Sequence, residues 1–215
     1  CTAEVLVSEH GLDRAEAERT KKLCDAATAF TFELERLEES GIRVLSFLDD
    51  GFPKRVTDAL GTKSSAFLLV AGNINLFDKP GRGIVGSRNA SEEVISVAQS
   101  AAFAAVRQGD VVVSGLAKGV DRVAMSAALE VDGEVIGVPT EGIRRIAKAN
   151  DIRNLVHEGR ICLVSPYAPD VGFSVGLAMG RNRFVYALSE STLVVASDLE
   201  KGGTWAGADE ALKGD

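Results

Sequence analysis

Short, almost wholly apolar runs punctuate this chain at residues 83–86, 111–113, 134–138, 160–164 and 192–196, each closed by turn residues. Strands without a polar face have to be covered on both sides. Helical spacing fills the gaps between them. Residues 92–107 carry apolar positions at Val94, Ile95, Ala98, Ala101, Ala102 and Ala105, and residues 122–131, 152–158, 173–189 (interrupted at Gly180) and 204–213 continue the pattern. Strand–helix alternation of this kind predicts an α/β fold, and right-handed crossovers make it an extended, Rossmann-like, mostly parallel sheet with helices on both faces. Two earlier runs, 42–47 and 66–71, read as further strands.

Ahead of them, residues 12–39 read as a helix with a break, started by Asp13 or a neighbour and stopped by Gly41. The predicted organisation is therefore a helical N-terminal segment, 1–41, and a core domain, 42–215. The alternation asks for one more strand after Gly214-Asp215, and Cys1 stands where an initiator Met would. Both ends are expected to be missing, the N-terminal segment being a truncated appendage.

Net charge is −7 over 215 residues, which at first argues against a nucleic-acid partner. Its distribution changes that reading. Residues 1–80 carry 10 Lys+Arg against 14 Asp+Glu, residues 81–183 carry 12 against 11, and residues 184–215 carry 2 against 6. Only the middle segment is not acidic, so a local basic pocket on an acidic body fits, and a broad polyanion surface does not. The three cysteines, Cys1, Cys24 and Cys162, form no CxxC pair and read as reduced thiols without a zinc site. No run reaches the roughly 18 uncharged apolar residues of a membrane span, and no signal peptide is legible. A cytoplasmic protein with no membrane partner is expected.

The middle segment holds one phrase twice. Gly86-Ser87-Arg88 follows one strand, and Ser114-Gly115-Leu116-Ala117-Lys118-Gly119-Val120-Asp121 follows the next. Each offers small residues, one cation and then a helix, the arrangement that captures anions at a sheet's carboxyl edge. Arg88 supplies a planar fork and Lys118 a point charge. Gly115 and Gly119 flank a loop able to present amides as an anion nest. Ser91 is the expected N-cap of the first helix and Asp121 that of the second. The literal GxGxxG at residues 81–86 is a false lead, because its glycines precede and include the strand instead of opening a helix.

Three further stretches join the candidate site. Arg181-Asn182-Arg183 interrupts an apolar helix with two cations about 200° apart, so at least one points into the cleft or at a partner subunit. Lys201-Gly202-Gly203-Thr204 follows a strand and opens a helix, a third phosphate cradle, with Trp205 beside it as a possible base contact. Arg144, Arg145 and Lys148 follow the run at 134–138, the third of the alternating series. His10 and His157 have no motif around them, and no Cys–His pair or paired carboxylates stand out. The chain reads as a binder, with no catalytic set and no cofactor.

In order along the chain, these residues resemble the DNA-processing protein family, DprA/Smf. Residues 84–91 are similar to its Val-Gly-Ser/Thr-Arg-x-x-Ser, and 114–121 to Ser-Gly-x-Ala-x-Gly-Ile/Val-Asp. Residues 181–189 resemble Arg-Asn-Arg with its apolar run to Ser, 202–211 resemble Ser/Gly-Gly-x-x-x-x-Ala-x-x-Ala, and Asp50–Pro53 resembles Asp-x-x-Tyr-Pro. The resemblance covers roughly residues 45–213. It implies a bacterial homodimer that holds single-stranded DNA by its phosphates and assists the RecA recombinase in recombination or in DNA uptake during natural transformation. By motif, Gly86, Ser87 and Arg88 would contact phosphate, with Lys118, Arg181 and Arg183 nearby. The chain departs from the family pattern at Met125, where His is usual, and at residues 146–150, where Ile146 replaces the Tyr of Tyr-Pro-x-x-Asn. The alternative is a nucleotide-binding sensor or phosphoribohydrolase-like enzyme of the related Rossmann-like group, in which Glu210 would be catalytic.

Overall fold

The computed structural model describes residues 2–197 and 202–213 and divides into two compact units, Cys1–Ser40 and Gly41–Asp215. In the first, helix α1 (Ala3–His10) is capped by Thr2 and closed by Gly11 in the left-handed conformation. Helix α2 (Arg14–Glu39) opens with a capping box in which Asp13 accepts the Glu16 N–H and Glu16 accepts the Asp13 N–H, at 2.8 and 3.1 Å. The expected break in this helix is absent. No Gly or Pro falls between residues 14 and 39, so nothing interrupts the backbone ladder over 26 residues.

The second unit is built on seven strands, β1 (Ile42–Ser46), β2 (Phe67–Gly72), β3 (Gly81–Gly86), β4 (Val111–Ser114), β5 (Val135–Gly137), β6 (Ile161–Ser165) and β7 (Ser191–Ala196). Their order across the sheet is β1-β2-β6-β5-β4-β3-β7. The five from β6 to β7 run parallel, and β2 is antiparallel to both its neighbours, with Val70 opposite Val164. β4 and β6 are buried at every position, so the centre of the sheet is covered on both faces, as the all-apolar runs require.

Helices α4 (Glu92–Gln108) and α5 (Val120–Glu130) pack against each other and against β3 and β4. Both bury small residues, Ala98, Ala102 and Ala105 on α4 and Ala124, Ala127 and Ala128 on α5. A separate core gathers Val111, Val113, Ile136 and Val164 of the sheet with Phe184, Val185 and Leu188. Val56 also enters it, from helix α3 (Lys54–Leu60), which follows Pro53 and was not expected from the sequence. Burial of each such large side chain contributes about 1.5–3 kcal/mol. Two short helices, α6 (Ile143–Ala147) and α7 (Asn150–His157), lead to β6.

Helix α8 (Val175–Ala187) runs through Gly180 without the predicted interruption. A Cβ at Gly180 would stand 3.0 Å from the Tyr167 hydroxyl, so this glycine answers to packing and not to a helix stop. Helix α9 (Gly202–Lys213) packs on α8.

Candidate nucleic-acid interface

Chain order reverses between β3 and β7. The connection out of β3 leads to β4 on one side, while β7, on the other, arrives last. Crevices outside the carboxyl ends of such strands are where open α/β sheets bind ligands. Here the crevice is a cleft of about 300 Å³ between the turn after β3, the body of α8 and the first turn of α9. It brings together Gly86, Ser87, Arg88, Arg181, Asn182, Gly202, Gly203 and Thr204. Lys201, proposed with that last group, lies outside the described residues.

The two sequence-twin loops are interlocked. The Val120 N–H donates to the Ser87 carbonyl at 3.2 Å, and the Ser114 hydroxyl donates to the Ile84 carbonyl at 2.6 Å. Gly119 sits at φ +89°, and a Cβ there would strike the carbonyls of Ser87 and Arg88. Only glycine satisfies both demands. Ser114 is fully buried, so its hydroxyl serves the fold.

Asp121 organises the joint. It is the second residue of α5, after Val120, with Gly119 as the N-cap; the sequence expectation of an Asp121 cap is thus corrected. Its side chain is buried, and backbone N–H groups of Gly86, Ala117 and Gly115 hydrogen-bond toward its carboxylate. The Gly115 and Ala117 amides, which belong to the loop expected to form an anion nest, are directed at an internal anion instead. Arg181 stands beside it, Nη1 to Oδ2 3.7 Å, and is itself only 3% exposed. Of the two cations on α8 it is the one that turns inward.

Gly115 has no side chain because the Arg181 guanidinium occupies the space a Cβ would need. Burial raises the Asp121 carboxyl above its ordinary value, against the opposing pull of Arg181 and the amides. Burial likewise lowers Arg181, which Asp121 and Tyr167 partly offset. The Tyr186 hydroxyl, in the same cleft, is pushed up to about 12, first by burial and then by Asp121.

The remaining candidates fall outside this joint. Arg88 is exposed, its guanidinium carbon 5.2 Å from the centroid of the Phe173 ring, and Ser87 turns its hydroxyl to the Asn89 N–H at 3.2 Å. The expected Ser91 cap of α4 is present, accepting the Val94 N–H at 3.4 Å. Asn182 donates to the Gly203 carbonyl at 2.9 Å and Thr204 to the Gly86 carbonyl at 3.2 Å, which fasten α9 to the cleft. Trp205 is half-buried at the start of that helix.

Lys118 is exposed and lines a second, larger cleft of about 780 Å³, which shares Arg88 and Ala117 with the first. Gly115, Leu116, Arg122, Met125, Arg145, Ile146 and Phe173 also line it. Leu116 is held at φ +58°, packed against Gly137, where a Cβ would come within 2.8 Å of its Cδ1.

Arg183 is half-buried with its guanidinium over the Phe184 ring, and Lys148 is exposed at the end of α6; neither lines either cleft. The basic stretch of Arg144, Arg145 and Lys148 is divided. Arg144 is buried and pairs with Asp170 at 3.3 Å, while Arg145 pairs with Glu141. Glu210, the residue an enzymatic reading would need, is exposed on α9 and lines neither cleft. Phe173 and Tyr186 were not anticipated, and the only signal for Phe173 was an aromatic directly after Gly172, at the start of the predicted 173–189 helix. Among the described residues, no helix is long and apolar enough to cross a membrane.

Known proteins resemble this chain over the same region. The DNA processing protein DprA of Bacillus subtilis strain 168 is 29% identical over 185 residues, 84% of this chain and 60% of that protein. Protein Smf of Escherichia coli K12 is 37% identical over 98 residues, 44% of this chain and 26% of its own length. The chain therefore spans about 60% of the length of its Bacillus relative.

Among solved structures, DNA processing protein A of Streptococcus pneumoniae shares the fold at a TM-score of 0.69 and 24% identity, covering 84% of this chain and 63% of that one. The Helicobacter pylori protein, described for its single-stranded DNA binding mode, aligns at 0.65 and 26% identity, covering 80% and 77%. The family model for DNA recombination-mediator protein A matches residues 43–215, and with that match the chain belongs to the DprA/Smf family of DNA-processing proteins.

Proposed function

We propose that the cleft edge around Ser87, Arg88 and Lys118 holds the phosphates of single-stranded DNA. The observation that carries this reading is the position of Arg88. It is exposed on the wall shared by two clefts, at the carboxyl edge of a parallel sheet, next to a loop braced from inside by the Asp121–Arg181 pair. A guanidinium so placed is free to form a bidentate pair with phosphate. The Helicobacter relative, with its single-stranded DNA binding mode, supports the choice of ligand.

In this reading Gly86, Ser87, Gly202, Gly203 and Thr204 shape the first cleft around the backbone, and Ser114, Gly115, Gly119, Arg181 and Asn182 hold its walls. Lys118, Lys148 and Arg183 extend the track. The chain works as a homodimer in the cytoplasm, mediating RecA-dependent recombination or DNA uptake without catalysis of its own.

Titration of a labelled oligothymidylate by fluorescence anisotropy tests the reading. Arg88→Ala is expected to weaken binding several-fold and to flatten the salt dependence by about 0.7 in log K against log salt, the share of one phosphate on a single strand. Unchanged affinity and slope at low salt would remove Arg88 from the interface.

A further inference from the structure

We infer that Phe173 is a stacking platform for a nucleobase, set next to the arginine that holds the neighbouring phosphate. This rests on the single-stranded DNA reading of the site and adds a base contact to it. Phe173 is the one aromatic among the described residues that line the larger cleft, and it is 49% exposed. Arg88 and Lys118 line the same cleft, so a ring face and two cations converge on one volume of about 780 Å³. Alternating phosphate and base along a single strand calls for that combination, a cation for the backbone and a π-face beside it.

The ring is mounted on a braced arm. The residues just before it are tied to the start of α6, where the Gly142 N–H donates to the Val171 carbonyl at 2.7 Å and the Arg144 N–H donates to the Pro169 carbonyl at 3.2 Å. Asp170 adds its pair with the buried Arg144 at 3.3 Å, and a Cβ on Gly142 would strike the Pro169 carbonyl. An exposed aromatic on a loose loop would lose its stacking energy to ordering; this one starts ordered. Arg88 lies over the ring at 5.2 Å, within cation–π range, and this contact fixes the spacing between the phosphate-binding fork and the aromatic face. Phe173 also borders a smaller hollow with Glu141, Arg145 and Asp170, so its ring stands as the wall between two concavities.

Anisotropy titrations with two labelled 20-mers separate base from backbone, one of oligothymidylate and one of equal length with abasic tetrahydrofuran sugars. Phe173→Ala is expected to weaken oligothymidylate binding roughly tenfold, within the range for one lost base stack, and to leave the abasic strand within about twofold. Phe173→Trp is expected to restore oligothymidylate binding and to show quenching of its indole fluorescence by oligothymidylate and not by the abasic strand.

Equal loss for both strands would overturn the platform and leave Phe173 as a support for Arg88. No loss for either, in a protein whose oligothymidylate binding Arg88→Ala does weaken, would also overturn it while sparing the phosphate site. Failure of the unaltered protein to bind either strand would overturn the functional reading and the platform together.

Discussion

The loops after β3 and β4 are near-copies in sequence and opposites in use. The first presents Arg88 outward, while its Ser87 hydroxyl stays with Asn89 of the same loop. The second turns its amides inward onto Asp121, lays Gly115 beneath the Arg181 guanidinium and leaves only Lys118 facing solvent. One loop meets the ligand, and the other, with the help of α8, makes the first rigid. A glycine-rich loop after a strand is therefore not by itself an anion site, because its amides can already be committed to a carboxylate of the same chain.

The sharpest way to break this contrast is to remove the internal anion. Asp121→Ala strands a buried guanidinium and several loop amides, and is expected to cost about 3–5 kcal/mol in urea-induced unfolding. A cost below about 1 kcal/mol would mean that the second loop is not organised from within. Adding Arg181→Met to that variant should recover part of the loss, since the unpaired charge is then gone. Gly115→Ala attacks the same joint from the other side. The new methyl displaces the Arg181 guanidinium, and a loss of about 1–3 kcal/mol is expected in the same assay.

A pH series refines the picture with a smaller effect. Because the Asp121 carboxyl is raised in the folded state, the stability it contributes is full at pH values below its ordinary 3.8 and is lost as pH rises through the higher folded value. Asp121→Asn keeps a side-chain acceptor for the amides and removes that titration. The unfolding midpoint of the natural protein should fall relative to the Asn variant between acid and neutral pH. A gap that instead widens in favour of the natural protein would mean that Arg181 and the amides outweigh burial. Arg88→Ala has the smallest expected effect on stability, within about 0.5 kcal/mol, as suits an exposed side chain on the outward loop. A larger loss would show that the Arg88 side chain itself helps to hold the first loop.

Much of the sheet could be read from residue order. The runs at 111–113 and 160–164 carry no polar face, and burial on both sides follows directly. Helix α3 was hidden because seven residues after a proline show too few turns for a period. Helix α8 was cut at Gly180 on a local rule, whereas the reason for that glycine is the Tyr167 hydroxyl thirteen residues earlier. The wheel argument that Arg181 and Arg183 cannot share a solvent face singled out that pair, yet nothing near Arg181 in the chain announces Asp121, sixty positions upstream. Side-chain periodicity reports which face is buried; it does not report the partner that makes burial of a charge tolerable. Phe173 was illegible for the same reason, since its relation to Arg88 exists only once β3 and β6 stand in one sheet.

Leu116 carries a last consequence. A non-glycine residue at positive φ pays about 1–2 kcal/mol for its backbone, and glycine there would relieve the cost. The leucine side chain, however, fills the space that Gly137 leaves open on the adjoining strand. Positions 116 and 137 are therefore expected to vary as one unit: a chain that drifts to a larger residue at 137 would first have to shrink 116, and one that relaxes 116 to glycine would open a hole at 137. Across divergent relatives, the two sites should be found exchanging volume with each other, tied by a socket and not by any shared role in the cleft.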